Sequence, residues 1–324
     1  MKVGRTTTRA WRWMRSRFSR NALILLYHRV CDDGDDPFGL SVTPMRFEEQ
    51  MRLLTSRYRV VPLDALASDV INGSVVPGTV AVTFDDGYED NLTTAKPILE
   101  QTGVPATIFV ISGELGREFW WDALVRLVHR TPELPAVLEV SGRPFAIPPA
   151  ARRGTAAARR RLLLALHSLL IDQPLVEIRA AIAALAAQLR EPPTTPQHRS
   201  ASPSLLRSTI RAQDSIEIGA HTVSHPVLSR LEPDEQYKEI FDCKTQLEAL
   251  LGRRVASFSY PYGQPGQYNS DSLKHVRNAG FHVACTVGSD TVRATSDPMR
   301  LPRIWIRNAG GDAFGRLLQR WTGV

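Results

Sequence analysis

Two adjacent carboxylates, Asp85 and Asp86, follow a run of apolar residues in the stretch TFDDG. Two acids this close cannot both ionise freely unless a cation lies near them or one keeps its proton. The apolar run predicts a buried strand, and in parallel α/β proteins active sites form at the carboxyl ends of strands. The alternative is an Asx turn or a helix N-cap, in which the same side chains only bind backbone N–H groups.

Two histidines, His221 and His225, lie four residues apart in the stretch GAHTVSHP, directly after another predicted strand. Two neutral imidazoles and one carboxylate form a familiar catalytic zinc site, which keeps one position open for water. An H-x-x-x-H pair alone is a weak motif. Its position at a strand end, together with the acidic pair at a different strand end, favours a shared metal site.

A third stretch, SYPYG at 259–263, also ends a predicted strand. Pro261 and Gly263 predict a tight turn, and such a turn can direct a backbone N–H at a developing oxyanion. An ordinary turn with two packed tyrosines is the alternative for this stretch taken by itself.

The motifs T-F-D-D-G, H-[ST]-x-x-H and aromatic-P-Y-G occur in this order in NodB-type polysaccharide deacetylases, carbohydrate esterase family 4. The sequence resembles that family over residues 22–111 and 214–308. The resemblance implies an α/β fold, a distorted (β/α)7-type barrel. It also implies one bound divalent metal, with zinc the expected ion, and hydrolysis of the N-acetyl group of an amino sugar.

The resemblance also implies a role for each matching residue. Asp85 stands where the family has its general base. Asp86, His221 and His225 stand where it has its metal ligands. Tyr262 stands where a backbone N–H contributes to the oxyanion hole.

The third motif departs from the family's pattern. It usually reads R-x-P-Y, with an arginine that pairs with the base, and here Ser259 occupies the place of that arginine. Arg303, in the later stretch LPRI, is the candidate to supply the missing cation. A structural or surface arginine is the alternative, since bidentate pairing depends on geometry that the sequence does not give.

The late leucine–histidine motif that usually provides the general acid is also missing, because no histidine follows residue 286. His28 is the one remaining histidine at the carboxyl end of a predicted strand. Some members of the superfamily carry a Y-H motif on an N-terminal strand. We therefore expect His28 to be the general acid, oriented by Asp290, with a loop-capping histidine as the alternative.

Short aliphatic segments alternate with helical ones, which predicts parallel strands joined by helical crossovers. We expect a barrel from residues 21–111 and 214–324, interrupted by a helix-rich insertion at 112–213 that contains a Pro/Ser/Thr linker. Trp120 and Trp121 open the insertion. Burial habits favour them as packing anchors, and stacking on a sugar ring is the alternative.

The net charge of +7 comes from residues 1–20, which hold seven cations and no acid, so the rest of the chain sums to zero. A neutral body argues against a nucleic-acid partner. The basic segment predicts either an amphipathic helix on an anionic membrane face or a solvated terminus. The apolar run at 22–27 is short for a signal peptide and lacks a cleavage site, so a strand is favoured.

Three scattered cysteines, with no C-x-x-C pair, favour a reducing compartment. We expect a protein that is cytoplasmic or peripheral at the inner membrane face, with secretion as the alternative. The expected partner is an N-acetylated glycan, and nothing in the sequence indicates an oligomeric state. The alternatives to deacetylation are removal of another acyl group, such as formyl, from a lipid-linked amino sugar, and an inactive carbohydrate-binding protein.

Overall fold

The computed structural model of the chain describes residues 21–34, 36–191, 198–210 and 215–322. The basic segment at 1–20 lies outside these ranges, and so do the residues around the predicted boundary at 213. The predictions that concern them therefore stay untested. Within the described ranges, no helix is both long enough and apolar enough to cross a membrane.

Seven parallel strands form a closed barrel in the order β1-β12-β11-β10-β9-β6-β5, and pairing of β1 with β5 completes the ring. The short β4 pairs with the start of β5. The barrel strands are β1 (Leu23–Tyr27), β5 (Thr79–Phe84), β6 (Ala106–Val110), β9 (Ile216–Ala220), β10 (Ser257–Ser259), β11 (Val283–Val287) and β12 (Leu301–Trp305). The other strands are β2 (Arg29–Val30), β3 (Ser41–Val42), β4 (Arg59–Val60), β7 (Val137–Val140) and β8 (Arg143–Ala146).

Helices cover the outside of the barrel and make up most of the insertion. Those of the barrel are α1 (Pro44–Arg57), α2 (Leu63–Ile71), α3 (Lys96–Thr102), α8 (Pro203–Thr209), α9 (Pro233–Leu251), α10 (Ser270–Asn278) and α11 (Gly311–Thr322). Those of the insertion are α4 (Trp120–Arg130), α5 (Pro149–Arg152), α6 (Ala156–Leu170) and α7 (Leu175–Gln188). The alternation of parallel strands and helices around the barrel confirms the predicted α/β arrangement.

Strand β1 is central to the barrel. All five of its residues are buried, and it lies between β5 and the last strand, with Leu25 opposite both Val82 and Ile304. A continuous aliphatic run is typical of a parallel strand that is covered on both faces. The strand predicted for this run is therefore confirmed. Its carboxyl end adjoins that of β5, since the Asp85 N–H donates to the Tyr27 carbonyl oxygen at 3.0 Å.

The insertion has a hydrophobic core of its own, formed by buried residues of α4, α6 and α7. Arg159 of α6 is buried and donates to carbonyl oxygens of Val128, His129, Thr131, Pro132 and Ala151. Carbonyls at a helix end lack partners within the helix, and this guanidinium satisfies those at the end of α4. The antiparallel pair β7–β8 is an element that the sequence did not predict.

Candidate active site

The acidic pair lies at the carboxyl end of β5, where the chain turns sharply. Asp86 has a φ of 71°, in the left-handed region that non-glycine residues rarely adopt. Gly87 follows with a φ of 77°, and a Cβ there would lie 2.9 Å from Cγ2 of Val110. Only glycine fits at this second position, so the turn directs both carboxylates into the barrel mouth, where Asp85 and Asp86 are buried.

Asp86, His221 and His225 converge. The Nε2 atoms of His221 and His225 lie 3.6 and 3.7 Å from Oδ1 of Asp86. Their possible ligand atoms all lie within 4.8 Å of one another, and the three residues are buried. Two imidazoles and one carboxylate at these separations match a zinc site that leaves a coordination position open.

Hydrogen bonding and burial suit these three side chains to a cation. Nδ1 of His221 lies 2.7 Å from the Ser259 carbonyl oxygen, which can only accept, so Nδ1 carries the proton and Nε2 keeps its lone pair. Burial lowers the pKa of His221 and of His225, so both are neutral. Burial and the Asp85 charge raise the pKa of Asp86. A divalent cation would oppose that rise, so the donor set fits a metal ion.

The loop that carries the two histidines is held by Glu239 of α9. Its Oε2 accepts hydrogen bonds from the N–H groups of Val223 at 2.9 Å and Ser224 at 2.8 Å, and its Oε1 accepts from the Ser224 hydroxyl at 2.6 Å. The loop needs such support, because Thr222 and His225 have φ values of 67° and 60°. Glu239 thus positions His225. The motifs did not identify Glu239, because it lies outside them in the sequence.

Asp85 forms an ion pair with Arg303 inside the barrel. The arginine donates to Oδ1 at 2.7 Å and to Oδ2 at 2.6 Å. It also donates to the Ser259 hydroxyl at 2.8 Å, and that hydroxyl donates to Oδ2 of Asp85 at 3.2 Å. The cation that the family places in the third motif therefore reaches Asp85 from β12, and the serine that replaces it joins the same network.

The charge state of Asp85 follows from this network. Burial alone would raise its pKa, but the charge of Arg303 and the hydrogen bonds that its guanidinium donates outweigh burial and hold the pKa well below its ordinary value. The carboxylate is therefore ionised at neutral pH. Its Oδ2 also lies 3.8 Å from Nε2 of His221, so the charged oxygen faces the group that could hold the metal.

The turn after β10 places Tyr262 beside His225, with ring centroids 4.6 Å apart. Tyr262 has a φ of 60°, and its N–H donates to no oxygen in the described parts of the chain. Gly263 packs against β11, since a Cβ there would lie 2.7 Å from the Val287 nitrogen. The predicted tight turn is present, with a free backbone donor at the cavity.

His28 follows β1 directly, and its ring lies 4.9 Å from that of Trp305, with the two planes tilted by 41°. Burial lowers its pKa to about 4, although Asp85 acts to raise it. Its Nδ1 is buried and has no partner among the described residues. The expectation that Asp290 orients it is wrong, because that carboxylate instead accepts hydrogen bonds from the Thr291 N–H and the Arg293 guanidinium.

The predicted residues surround one cavity of about 220 Å³. Asp85, Asp86, His28, His221, His225 and Tyr262 all line it, while Arg303 lies behind Asp85. Further residues line the cavity that the sequence did not predict, among them Phe38, His167 and Trp305. Trp120 and Trp121 are buried, as the packing interpretation predicted, and Trp121 also reaches the cavity. A wider groove of about 560 Å³ shares His225 and Tyr262 with the cavity.

The sequence profile of the polysaccharide deacetylase family matches residues 72–135 and 186–284, about half of the chain. The chain belongs to the polysaccharide deacetylase family. The matched segments contain the two carboxylates, both histidines and the Tyr262 turn. They contain neither His28 nor Arg303, whose roles stay predictions. The motif resemblance had left out residues 112–213, and the family profile includes 112–135 and 186–213 of them.

A relative in Bacillus subtilis has the same family name. YxkH of Bacillus subtilis (strain 168), provisionally named a polysaccharide deacetylase, is 22% identical to this chain over 310 residues. The match covers 95% of this chain and 79% of YxkH. Two solved structures share the fold. The deacetylase PplD of Streptococcus pyogenes, in complex with acetate, has a TM-score of 0.60 and 19% identity over 93% of this chain and 97% of its own. IcaB from Ammonifex degensii has a TM-score of 0.59 and 18% identity, over 94% of this chain and 97% of its own.

Proposed function

We propose that this family member is a metal-dependent hydrolase that removes the N-acetyl group of an amino sugar in a polysaccharide or glycan precursor. The observation that carries the proposal is the juxtaposition of Asp86, His221 and His225 with the Arg303-paired Asp85 in one cavity. An acetamide is a poor electrophile with a poor leaving group. Its hydrolysis therefore needs an activated water, a stabilised oxyanion and a proton for the amine.

Asp86, His221 and His225 are the residues that would hold the metal, and zinc is the ion that this donor set favours. A zinc ion bound there supplies a Lewis acid for the acetyl carbonyl and lowers the pKa of a water molecule towards about 7. Asp85, kept ionised by Arg303, accepts a proton from the attacking water. Arg303 touches no reacting atom in this account and acts as a positioning residue.

The remaining steps fall to Tyr262 and His28. The free N–H of Tyr262 donates to the carbonyl oxygen as that oxygen gains negative charge. His28 takes up a proton from solvent and gives it to the departing amine, and the proton on Asp85 returns to solvent once acetate has left. Burial holds the pKa of His28 at about 4, and the negative charge of the tetrahedral group nearby would raise that pKa and favour the protonated ring.

Two alternatives stay open for the activity. A formyl group on a lipid-linked amino sugar would need the same base and the same donor set, so the chemistry of the site does not separate the two acyl groups. An inactive carbohydrate-binding protein was favoured mildly by the altered third motif. The bidentate pair between Arg303 and Asp85 weakens that argument, because the cation absent from the motif reaches the base from another strand.

The test is acyl release from a panel of amino-sugar substrates, with and without a chelator. The panel contains polymeric N-acetylglucosamine, short oligomers and lipid-linked N-acetyl and N-formyl sugars. We expect acetate release that the chelator abolishes and added Zn²⁺ restores. Formate release alone would replace the proposal by a deformylase, and bound metal with no release from any substrate would favour a binding protein.

A further inference from the structure

Helix α6 brings His167 from the insertion to the catalytic cavity, which His167 lines together with His225 and Trp121. The neighbouring residue Leu166 is buried in the insertion core, so His167 occupies the edge of that core which faces the barrel. No motif placed it there. The cavity thus has a wall that the barrel does not supply.

The ring of His167 is held in place by two aromatic rings. It stacks on Trp120 with centroids 4.8 Å apart and planes at 24°, and it lies 5.2 Å from Phe38. The helix itself is anchored by the five carbonyl contacts of Arg159. Arg160 adds a hydrogen bond to the Pro37 carbonyl, next to Phe38, at 3.0 Å. His167 is therefore fixed before any ligand enters.

The polar atoms of His167 are available. Its ring nitrogens form no hydrogen bond with the described residues, and neither is among the buried atoms that lack a partner. Burial lowers its pKa to about 4, so the ring is neutral at pH 7, with one N–H donor and one acceptor. A sugar hydroxyl, which also donates and accepts, matches this pair better than a carboxylate or phosphate, which would favour a cation.

We propose that His167 hydrogen-bonds a ring hydroxyl of the amino sugar and thereby selects which sugar presents its N-acetyl group to Asp85. The inference rests on the proposed function. Apolar and aromatic walls with a few fixed polar groups are the usual construction of a specific small-ligand site. Leu26, Leu40 and Val287 provide apolar walls here, and His167 is a polar group that no step of hydrolysis uses.

The experiment compares wild type, His167→Phe and Ser168→Ala on an N-acetylglucosamine trimer and on its monodeoxy analogues. Phenylalanine keeps the contacts with Trp120 and Phe38 and removes the nitrogens, and Ser168 is an exposed control on the same helix. We expect KM to rise about threefold to tenfold in His167→Phe, the effect of one lost neutral hydrogen bond. Unchanged kcat and Zn²⁺ affinity are expected, because such a contact binds ground and transition states alike.

The analogues identify the hydroxyl. With the wild-type enzyme, one monodeoxy trimer should show the same threefold to tenfold rise in KM. With His167→Phe, that analogue should show no further rise, because the hydroxyl and the ring nitrogen form one direct contact. Unchanged KM in His167→Phe would overturn the inference, as would equal falls in kcat and kcat/KM. His167→Leu is a second variant without ring nitrogens, should the first not fold.

If the wild-type enzyme releases no acetate, the proposed function fails and the inference is decided by binding. The Kd of the trimer, measured by calorimetry for the zinc-loaded wild type and His167→Phe, should then differ by the same factor. Equal Kd values, or no binding to the wild type, would overturn it.

Discussion

The two sides of the catalytic cavity differ in how completely the protein prepares them. On one side, Asp85 has hydrogen-bond partners at both oxygens, from Arg303 and Ser259, and its pKa is held low. On the other side, Nδ1 of His28 and Nε1 of Trp305 are both buried and lack partners among the described residues. Burial leaves His28 neutral, with a pKa of about 4.

This difference indicates which group completes each side of the cavity. The charge state of Asp85, the proposed base, is fixed by the fold alone, since its cation belongs to β12. His28, the proposed acid, needs a charge that only the reacting substrate brings, because an oxyanion nearby raises the pKa of an imidazole. The base side should therefore be sensitive to changes in the protein even without ligand. Changes on the acid side should appear in turnover and hardly in stability.

The largest effect is expected for Asp85→Asn, which removes the proton acceptor and keeps its size. We expect kcat to fall about 10³- to 10⁴-fold, the upper part of the range for general acid–base catalysis. Zinc affinity, measured by competition with a chromophoric chelator, should change little. Turnover within tenfold of the wild type would remove Asp85 from its proposed role.

Arg303→Met should destabilise the metal-free protein, since it leaves a buried carboxylate without its cation. We expect a loss of about 3–5 kcal/mol in the free energy of unfolding at pH 7, measured by urea denaturation. Arg300→Met, at a half-exposed surface arginine three residues earlier, should change it by less than about 0.5 kcal/mol.

The same variant carries a pH test. In the wild type the Asp85 pKa lies below its ordinary 3.8, so the ion pair stabilises the fold above that pH and is lost only at lower pH. In Arg303→Met the buried carboxyl has a raised pKa and takes up a proton as the solution is acidified. The difference in stability should therefore shrink between pH 7 and pH 4. An equal difference at both pH values would mean that Arg303 contributes packing alone.

His28→Ala tests the side that the substrate completes. We expect kcat to fall about 10²-fold, with zinc affinity and melting temperature close to those of the wild type. His282→Ala, a histidine at the other end of the barrel, is the matched control and should keep full turnover. Near-normal turnover in His28→Ala would leave the acid unassigned and the comparison between the two sides without support.

Glu239→Gln should weaken metal binding through the loop that carries His225. The neutral amide oxygen accepts more weakly from the two backbone N–H groups than the carboxylate does, because the charge that strengthens both hydrogen bonds is lost. Loss of a partner behind the ligands typically costs about 10–100-fold in metal affinity. The control is Asp242→Asn, which removes an exposed charge one turn later on the same helix and should leave the zinc Kd unchanged. Equal zinc Kd values in the two variants would contradict the positioning role of Glu239.

Local sequence pattern was enough to predict the barrel and to identify most of the residues that the structure brings together in the cavity. The run at Leu23–Tyr27 and the acidic pair after β5 combine a buried strand with a sharp turn, and both signals are contiguous in sequence. Arg303 could be predicted because the third motif lacks the arginine of the family, and a later arginine near a strand was the candidate to replace it. The position of His167 at the cavity could not be predicted, because it depends on the packing of α6 against Trp120.

Two further features show the same limit. Glu239 supports the loop that carries His221 and His225 from a helix whose sequence pattern is that of an ordinary amphipathic helix. Trp305 follows Arg303 on β12, and only the closure of the barrel brings its ring against His28. Contacts made across strands and between the barrel and the insertion carry no local signature, so the structure was needed to find them.

The central claim is that Asp86, His221 and His225 hold one catalytic divalent ion beside Asp85. It is tested most directly by titrating Zn²⁺ into chelator-treated protein while metal content and acetate release are measured on the same samples. The account predicts release that is absent at the start, rises with bound zinc and saturates at one equivalent per chain. Full acetate release from protein shown to be free of metal would contradict it.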